Sequence, residues 1–216
     1  MISRLRARSE RAASVLARPF AMLGIGPMAV SLLAIPLALA FAFFVWRHDL
    51  ILALPFGLLA VLMDFIDGAL ARETGKGSPL GNYMDAMTDK ISEFILVGGF
   101  VFWFPLETVA ALGCSFLASF AKPRAALVII TDNRDWPGIG ERGDRMAVLF
   151  AGMLASLAVP LVSGMETMGL ALWVLALVSA IGLFQRMAYA RKLIREAERK
   201  GSLLPYLRAR QKKVAG

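Results

Sequence analysis

Four aspartates, Asp64, Asp67, Asp85 and Asp89, stand at the end of one apolar segment and the start of the next. The first two are three residues apart and the last two are four apart, so on helices each pair projects from one face. A carboxylate beside hydrocarbon costs several kcal/mol unless it is paired, hydrated or ligated. The spacing therefore predicts a metal site where the two pairs converge, and hard oxygen ligands favour Mg²⁺, Mn²⁺ or Ca²⁺ over zinc.

Small residues lie among these acids. Gly68, Ala71 and Gly81 would let a ligand approach the backbone closely, and Arg72 offers a bidentate contact to phosphate. Solvated acids at helix ends, with glycine marking a turn, would explain any one of these residues. The whole set instead indicates phosphate chemistry.

Together these residues form one spaced motif, Asp64-x2-Asp67-Gly68-x2-Ala71-Arg72-x8-Gly81-x3-Asp85-x3-Asp89. It fills all eight fixed positions of a known signature, so the chain resembles the CDP-alcohol phosphatidyltransferase family. The resemblance implies that an acceptor hydroxyl attacks the β-phosphorus of a CDP-linked lipid, giving a phosphodiester and CMP. It also implies two Mg²⁺ or Mn²⁺ ions held mainly by Asp64, Asp67 and Asp85, with Asp89 partly a ligand and partly the general base.

The donor site implied by the resemblance includes Gly68, Ala71, Arg72 and Gly81, together with Ser31 near the start of the first apolar segment. Family members often carry Pro-Asn-x-x-Thr at that start. Here Pro27-Met28-Ala29-Val30-Ser31 keeps the proline and a hydroxyl but has methionine in place of asparagine.

A second group of polar residues flanks the fourth and fifth apolar segments. Ser119-x2-Lys122-x-Arg124, followed by Glu141-Arg142-x2-Arg145, is similar to the branch that makes phosphatidylinositol phosphate or archaetidylinositol phosphate. In that branch such cations bind the phosphate of inositol phosphate, which guanidinium and ammonium groups can pair.

Ordinary cytoplasmic positive charge that binds lipid headgroups explains the same cations equally well. Ala126 also stands where that branch usually has Glu. Glycerol 3-phosphate therefore remains the alternative acceptor, and an unphosphorylated alcohol or serine comes after it.

Composition predicts the setting of this site. The chain has 216 residues, of which 58% are hydrophobic, and a net charge of +8, which excludes a soluble globular domain. Apolar runs of roughly membrane-spanning length occur at about 27–46, 50–71, 82–106, 108–131, 146–162 and 168–188. They predict an all-α integral membrane protein with six transmembrane helices.

The placement of Lys and Arg predicts the orientation of these spans. With the N-terminus inside, 23 of the 24 Lys and Arg residues fall on the cytoplasmic side, and only Arg47 lies outside. We therefore expect a multi-pass protein of the plasma membrane with its active site on the cytoplasmic side.

Three segments follow from this topology. Residues 1–26 are expected to form a cytoplasmic interfacial amphipathic helix, with apolar residues at helical spacing: Ile2, Leu5, Ala12, Leu16, Phe20 and Leu23. A signal peptide is disfavoured, because the charged region and the apolar run are both too long. Residues 27–190 would be the six-helix membrane domain, and residues 191–216 a basic cytoplasmic tail.

Two other classes of protein could place acids in apolar helices. A cation transporter usually has its binding site near the bilayer midplane on broken helices, whereas these acids cluster at the cytoplasmic ends of the second and third apolar segments. A noncatalytic scaffold would not explain acids at the spacing of metal ligands.

The expected partners are a CDP-linked lipid, a small polar alcohol and the bilayer. The family resemblance adds a second copy of the chain in a homodimer, and nucleic acid is not expected.

Overall fold

A computed structural model describes residues 13–75, 77–129, 136, 138–202 and 204, and within this part the chain is mostly helical. It divides into two compact units, Met1–Pro105 and Leu106–Gly216, which are described separately. The elements are α1 (described over 13–22), α2 (Pro27–Trp46), α3 (Leu50–Thr74), α4 (Pro79–Gly98), α5 (Pro105–Ala126), α6 (Arg142–Ala158), β1 (Leu161–Val162), β2 (Met165–Glu166) and α7 (Thr167–Arg199).

In the first unit, local capping signals fix where the helices begin and end. Pro27 opens α2, where its missing N–H costs nothing. The Asp49 carboxylate caps α3 by accepting from the Leu52 amide at 2.9 Å. After Thr74, Gly75 ends the helix in the left-handed conformation, with φ of 63°. Ser78 then caps α4 by accepting from the Gly81 amide at 3.0 Å. The turn between α3 and α4 therefore separates the two pairs of aspartates.

Helix α1 docks through alanine rather than through its larger apolar residues. Ala13 and Ala17 are buried against Val30 of α2 and Leu70 of α3. Leu16 and Leu23, which the sequence pattern placed on the apolar face, are 42% and 75% exposed. The small side chains let α1 approach closely and leave the leucines on the outside. Residues 1–12, where the predicted interfacial helix begins, lie outside the described part.

In the second unit, α6 and α7 pack at very short range. A Cβ added at Gly152 of α6 would lie 2.2 Å from the Ala171 Cβ of α7, so only glycine fits there. Ser115 of α5 and Ser179 of α7 share a buried hydrogen bond of 3.0 Å. The antiparallel pair β1 and β2 forms a small hairpin before α7. The sequence analysis did not predict this hairpin.

Each apolar run predicted from the sequence corresponds to one helix, although the ends of the helices differ from the predicted ends of the runs. The third run was expected to reach residue 106, but α4 ends at Gly98 and turns follow. Among the described helices, α2, α3 and α7 are long and apolar enough to cross a membrane. Helix α4 carries four charged residues between Asp85 and Glu93, and α6 has only 17 residues. The three apolar helices fit a membrane protein.

Candidate active site

Three of the four predicted aspartates converge in the first unit. Asp64 and Asp67 extend from the last turns of α3, and Asp85 from α4, with one oxygen of each carboxylate within 4.8 Å of the others. Asp67 is 4% exposed, and the other two are half-buried. Three like charges this close repel one another strongly unless a cation joins them.

The carboxylate of Asp67 is oriented by α2. Ser31, itself 5% exposed, donates its hydroxyl proton to Asp67 Oδ2, and its oxygen also lies 3.2 Å from the Pro27 carbonyl oxygen. Such a bond from a neighbouring helix fixes which oxygen remains available to a ligand. The hydroxyl kept in the Pro27–Ser31 segment therefore belongs to the site.

The three convergent carboxylates fit a divalent cation. Carboxylate oxygens are the ligands preferred by Mg²⁺ and Mn²⁺, and all three can reach a common ion. Asp89 is not in this group of three. It follows Asp85 by one helical turn on α4 and is half-buried.

A pocket of about 480 Å³ opens beside these acids. Asp67 and Asp85 contribute to its wall, and so does every residue that the sequence analysis assigned to the CDP-lipid: Ser31, Gly68, Ala71, Arg72 and Gly81. Above Gly68, an added Cβ would come within 4 Å of one side-chain atom among the described residues, the end of the flexible Arg72 side chain at 3.6 Å. The pocket is therefore open over Gly68, where a ligand can meet the backbone.

The pocket also has lining residues that the sequence analysis missed. Ser78 and Gly26 directly precede α4 and α2, and Asn82 and Met28 lie in the first turns of those helices. Two helices thus begin at the pocket, and the positive ends of their dipoles favour a bound anion. Asn82 lies three residues before Asp85, a spacing that could have indicated it.

The predicted acceptor cations lie in the second unit and differ in their surroundings. Lys122 and Arg142 are half-buried, and Arg124 is exposed in the last turn of α5. Arg145 is 1% exposed and donates to the Gly140 carbonyl oxygen and, at 3.4 Å, to the Ser119 hydroxyl. The contact between Ser119 and Arg145 thus brings the motif at the end of α5 next to the motif at the start of α6.

A further buried cation was not identified from the sequence. Arg186 of α7 is 8% exposed and donates to the Ala118 carbonyl oxygen at 3.0 Å. A Cβ added at Gly138 would lie 3.3 Å from the Arg186 guanidinium, so the glycine-rich loop before α6 lies against this side chain. In the sequence, an Arg at the end of an apolar run is typical of ordinary charge at a membrane interface. The burial of Arg186 is therefore evident only from the packing.

Comparison with known proteins agrees with this geometry. A family model described as CDP-alcohol phosphatidyltransferase matches residues 25–182. The phosphatidylinositol phosphate synthase of Mycobacterium marinum is 32% identical over 84% of this chain and 80% of that protein. The archaetidylinositol phosphate synthase of Pyrococcus horikoshii is 28% identical over 89% of this chain and 97% of that protein.

Solved structures are similar as well. The crystal structure of Mycobacterium tuberculosis phosphatidylinositol phosphate synthase with CDP-DAG bound matches with a TM-score of 0.70 and 27% identity, covering 83% of this chain and 94% of that one. The same enzyme in complex with manganese and citrate matches with a TM-score of 0.68 and 26% identity, over 82% and 88%. The motif, the convergent carboxylates and these matches together show that this chain is an enzyme of the CDP-alcohol phosphatidyltransferase family.

Proposed function

We propose that this enzyme transfers a phosphatidyl-type group from a CDP-linked lipid to inositol phosphate and releases CMP. The observation that carries the proposal is the 480 Å³ pocket, which is lined by the five predicted donor residues and by two of the three convergent aspartates, Asp67 and Asp85. The names of the similar synthases support inositol phosphate over glycerol 3-phosphate as acceptor.

In the reaction, the acceptor hydroxyl oxygen forms a bond to the β-phosphorus, and the bond from that phosphorus to the oxygen of CMP breaks. Asp64, Asp67 and Asp85 would hold two Mg²⁺ or Mn²⁺ ions, with Asp89 contributing in part. When bound, the ions supply positive charge that neutralises the diphosphate and the departing CMP. Asp89 accepts the hydroxyl proton as the new bond forms.

The donor is held by the walls of the pocket. Arg72 pairs with a phosphate of the CDP group, and the starts of α2 and α4 add the positive ends of two helix dipoles. Ser31 orients Asp67, while Gly68, Ala71 and Gly81 leave the backbone accessible. We assign the phosphate of the acceptor to Lys122, Arg124, Arg142 and Arg145.

The acceptor is tested directly with purified protein, labelled CDP-diacylglycerol and Mg²⁺ or Mn²⁺. Inositol phosphate, glycerol 3-phosphate, inositol and serine are each offered alone, and CMP and the labelled lipid product are measured. We expect product with inositol phosphate and none after chelation of the metal. Turnover with inositol or serine but with no phosphorylated polyol would reject the phosphate-binding cations.

Gly68→Val is expected to weaken donor binding without unfolding the protein. The added carbons enter the open space of the pocket, and overfilling of this kind typically costs about 1–3 kcal/mol, or about 5- to 150-fold in the KM for CDP-lipid. Gly113→Val is the matched control, because Gly113 is an exposed glycine within α5 with open space around it. A normal KM in the Gly68 variant would place the donor elsewhere.

Changing Lys122, Arg124 or Arg142 to Gln should raise the KM for inositol phosphate and leave the KM for CDP-lipid nearly unchanged. A lost charged hydrogen bond corresponds to about 1.5–3 kcal/mol. Arg145→Gln should also lower thermal stability, because the buried Gly140 carbonyl loses its donor. Lys200→Gln, an exposed cation at the end of α7, is the control. Small, similar losses that depend on anionic lipid would instead indicate generic headgroup binding.

We further propose a plasma membrane homodimer in which the domain of residues 27–190 spans the bilayer six times. Residues 1–26 would form the interfacial helix, residues 191–216 the tail, and the active site would open to the cytoplasm. The distribution of Lys and Arg supports this orientation. Single cysteines on a Cys114→Ala background test it, since labelling of position 76 from outside intact cells would reverse the orientation.

A further inference from the structure

Helix α7 is longer than a membrane span requires. Its 33 residues extend for about 50 Å, whereas the hydrocarbon core of a bilayer is about 30 Å thick. Exposed apolar side chains continue along it as far as Phe184 and Met187, which are 68% and 54% exposed. Roughly the last 18 Å of the helix therefore extend past the apolar part, through the depth occupied by lipid headgroups.

Four cations occupy one side of this extension. Arg191, Lys192, Arg195 and Arg199 are exposed. Arg191, Arg195 and Arg199 recur every four residues and Lys192 lies three residues before Arg195, so all four share one broad helical face, here called the basic stripe. With Ala188 and Glu196 they line a shallow groove of about 350 Å³. Four cations against one carboxylate leave the groove strongly positive.

The opposite side of the extension is covered within the second unit. Ala197 is buried with Ile129, and Leu193 and Ile194 pack against the same small cluster. The Leu204 amide also donates to the Val128 carbonyl oxygen at 3.2 Å. These contacts fix the rotation of the helix about its axis, so the basic stripe stays turned outward.

The face that carries the stripe is continuous with apolar surface. Phe184, Met187, Arg191 and Arg195 follow one another at intervals of three or four residues, so two apolar side chains precede the cations on the same face. A phospholipid matches this order, because its acyl chains can lie along the apolar pair while its phosphate meets the guanidinium groups. A free phosphate uses only the charged half.

We propose that the basic stripe of α7 is a binding site for the headgroup of an anionic phospholipid. Guanidinium groups pair bidentately with phosphate, and each Lys or Arg near a membrane surface adds a favourable interaction with anionic lipid. The site shares no residue with the aspartate pocket and does not depend on the identity of the acceptor.

The test compares phosphatidic acid with phosphatidylcholine as ligands of the full-length protein in detergent, counting bound lipids by native mass spectrometry. The variant is Arg191→Gln/Arg195→Gln. The matched control is Arg47→Gln/Lys200→Gln, which removes the same charge from exposed positions outside the groove. We expect the stripe variant to bind phosphatidic acid about 10- to 30-fold more weakly, and the control to bind it normally. CMP release by both variants checks that they are folded.

In a further measurement, inorganic phosphate is added to the unchanged protein with phosphatidic acid, at the same concentration as the lipid. Retention of phosphatidic acid in its presence is expected, because the acyl chains contribute to binding. Displacement by inorganic phosphate at that concentration would make the groove a site for soluble phosphate and overturn the proposal. Equal weakening in the control variant would also overturn it, since charge alone would then account for the binding.

Discussion

Asparagine in place of Asp64, Asp67 or Asp85 is expected to lower CMP release by about 10²–10³-fold or more, the size of effect seen when one preorganised electrostatic group is lost. Their oxygens lie within 4.8 Å of one another, so each change removes one ligand and one charge from the same cation site. Asparagine has almost the shape of aspartate, and we therefore expect each variant to remain a folded membrane protein.

The same variants separate a ligand role from a structural one. Without metal, Asp67→Asn should raise the melting temperature, because a buried carboxylate no longer faces two like charges. Addition of Mn²⁺ should raise the melting temperature of the unchanged protein and have little effect on the three variants. Thermal unfolding in detergent, with and without Mn²⁺, measures both effects.

Asp49→Asn is the control for this series. Asp49 lies at the other end of α3, where it accepts from the Leu52 amide at 2.9 Å, and asparagine caps a helix about as well as aspartate. Its activity and its response to Mn²⁺ should be normal. If a site variant released CMP at the normal rate under saturating Mg²⁺ and Mn²⁺, the residue changed in it would not be a metal ligand.

The convergence of these acids could be predicted because it depends on short-range geometry. Residues three and four apart share a helical face, and the two faces need only a short turn between them. The first apolar run was predicted to start at residue 27, and α2 begins there with proline, which is favoured in a first turn. Helix α4 begins three residues earlier than its apolar run, because Ser78 and Pro79 start a polar first turn that hydropathy does not detect.

Other features depend on packing that the sequence pattern does not carry. The pattern ranks Leu16 and Leu23 as the apolar face of α1, yet Ala13 and Ala17 are buried, because a close helix contact selects small side chains. The burial of Arg186 is a similar case. Arg186 is buried because the loop before α6 lies against α7. This close approach requires glycine one turn before Arg186, since a Cβ at Gly182 would lie 2.2 Å from the Ile139 carbonyl oxygen of the loop. Neither contact has a periodic signal.

Asp89→Asn is expected to give a different defect from the three ligand variants. Asp89 lies one turn beyond Asp85 on α4 and outside the group of three convergent carboxylates. Loss of a general base typically slows chemistry by about 10²–10⁴-fold, whereas donor binding relies on the metal and the pocket. We therefore expect nearly normal metal-dependent affinity for CDP-lipid, together with a very slow single-turnover rate.

Asp85→Asn is the informative comparison, because it changes the same kind of residue on the same helix one turn earlier. In that variant both the donor affinity and the rate should fall, since a ligand of the cation is lost. Equilibrium binding of CDP-lipid with and without Mn²⁺, followed by single-turnover CMP release, measures the two quantities separately. If donor affinity also collapsed in Asp89→Asn, Asp89 would act mainly as a ligand and another group would accept the proton. The separation between the two variants is therefore what assigns the base.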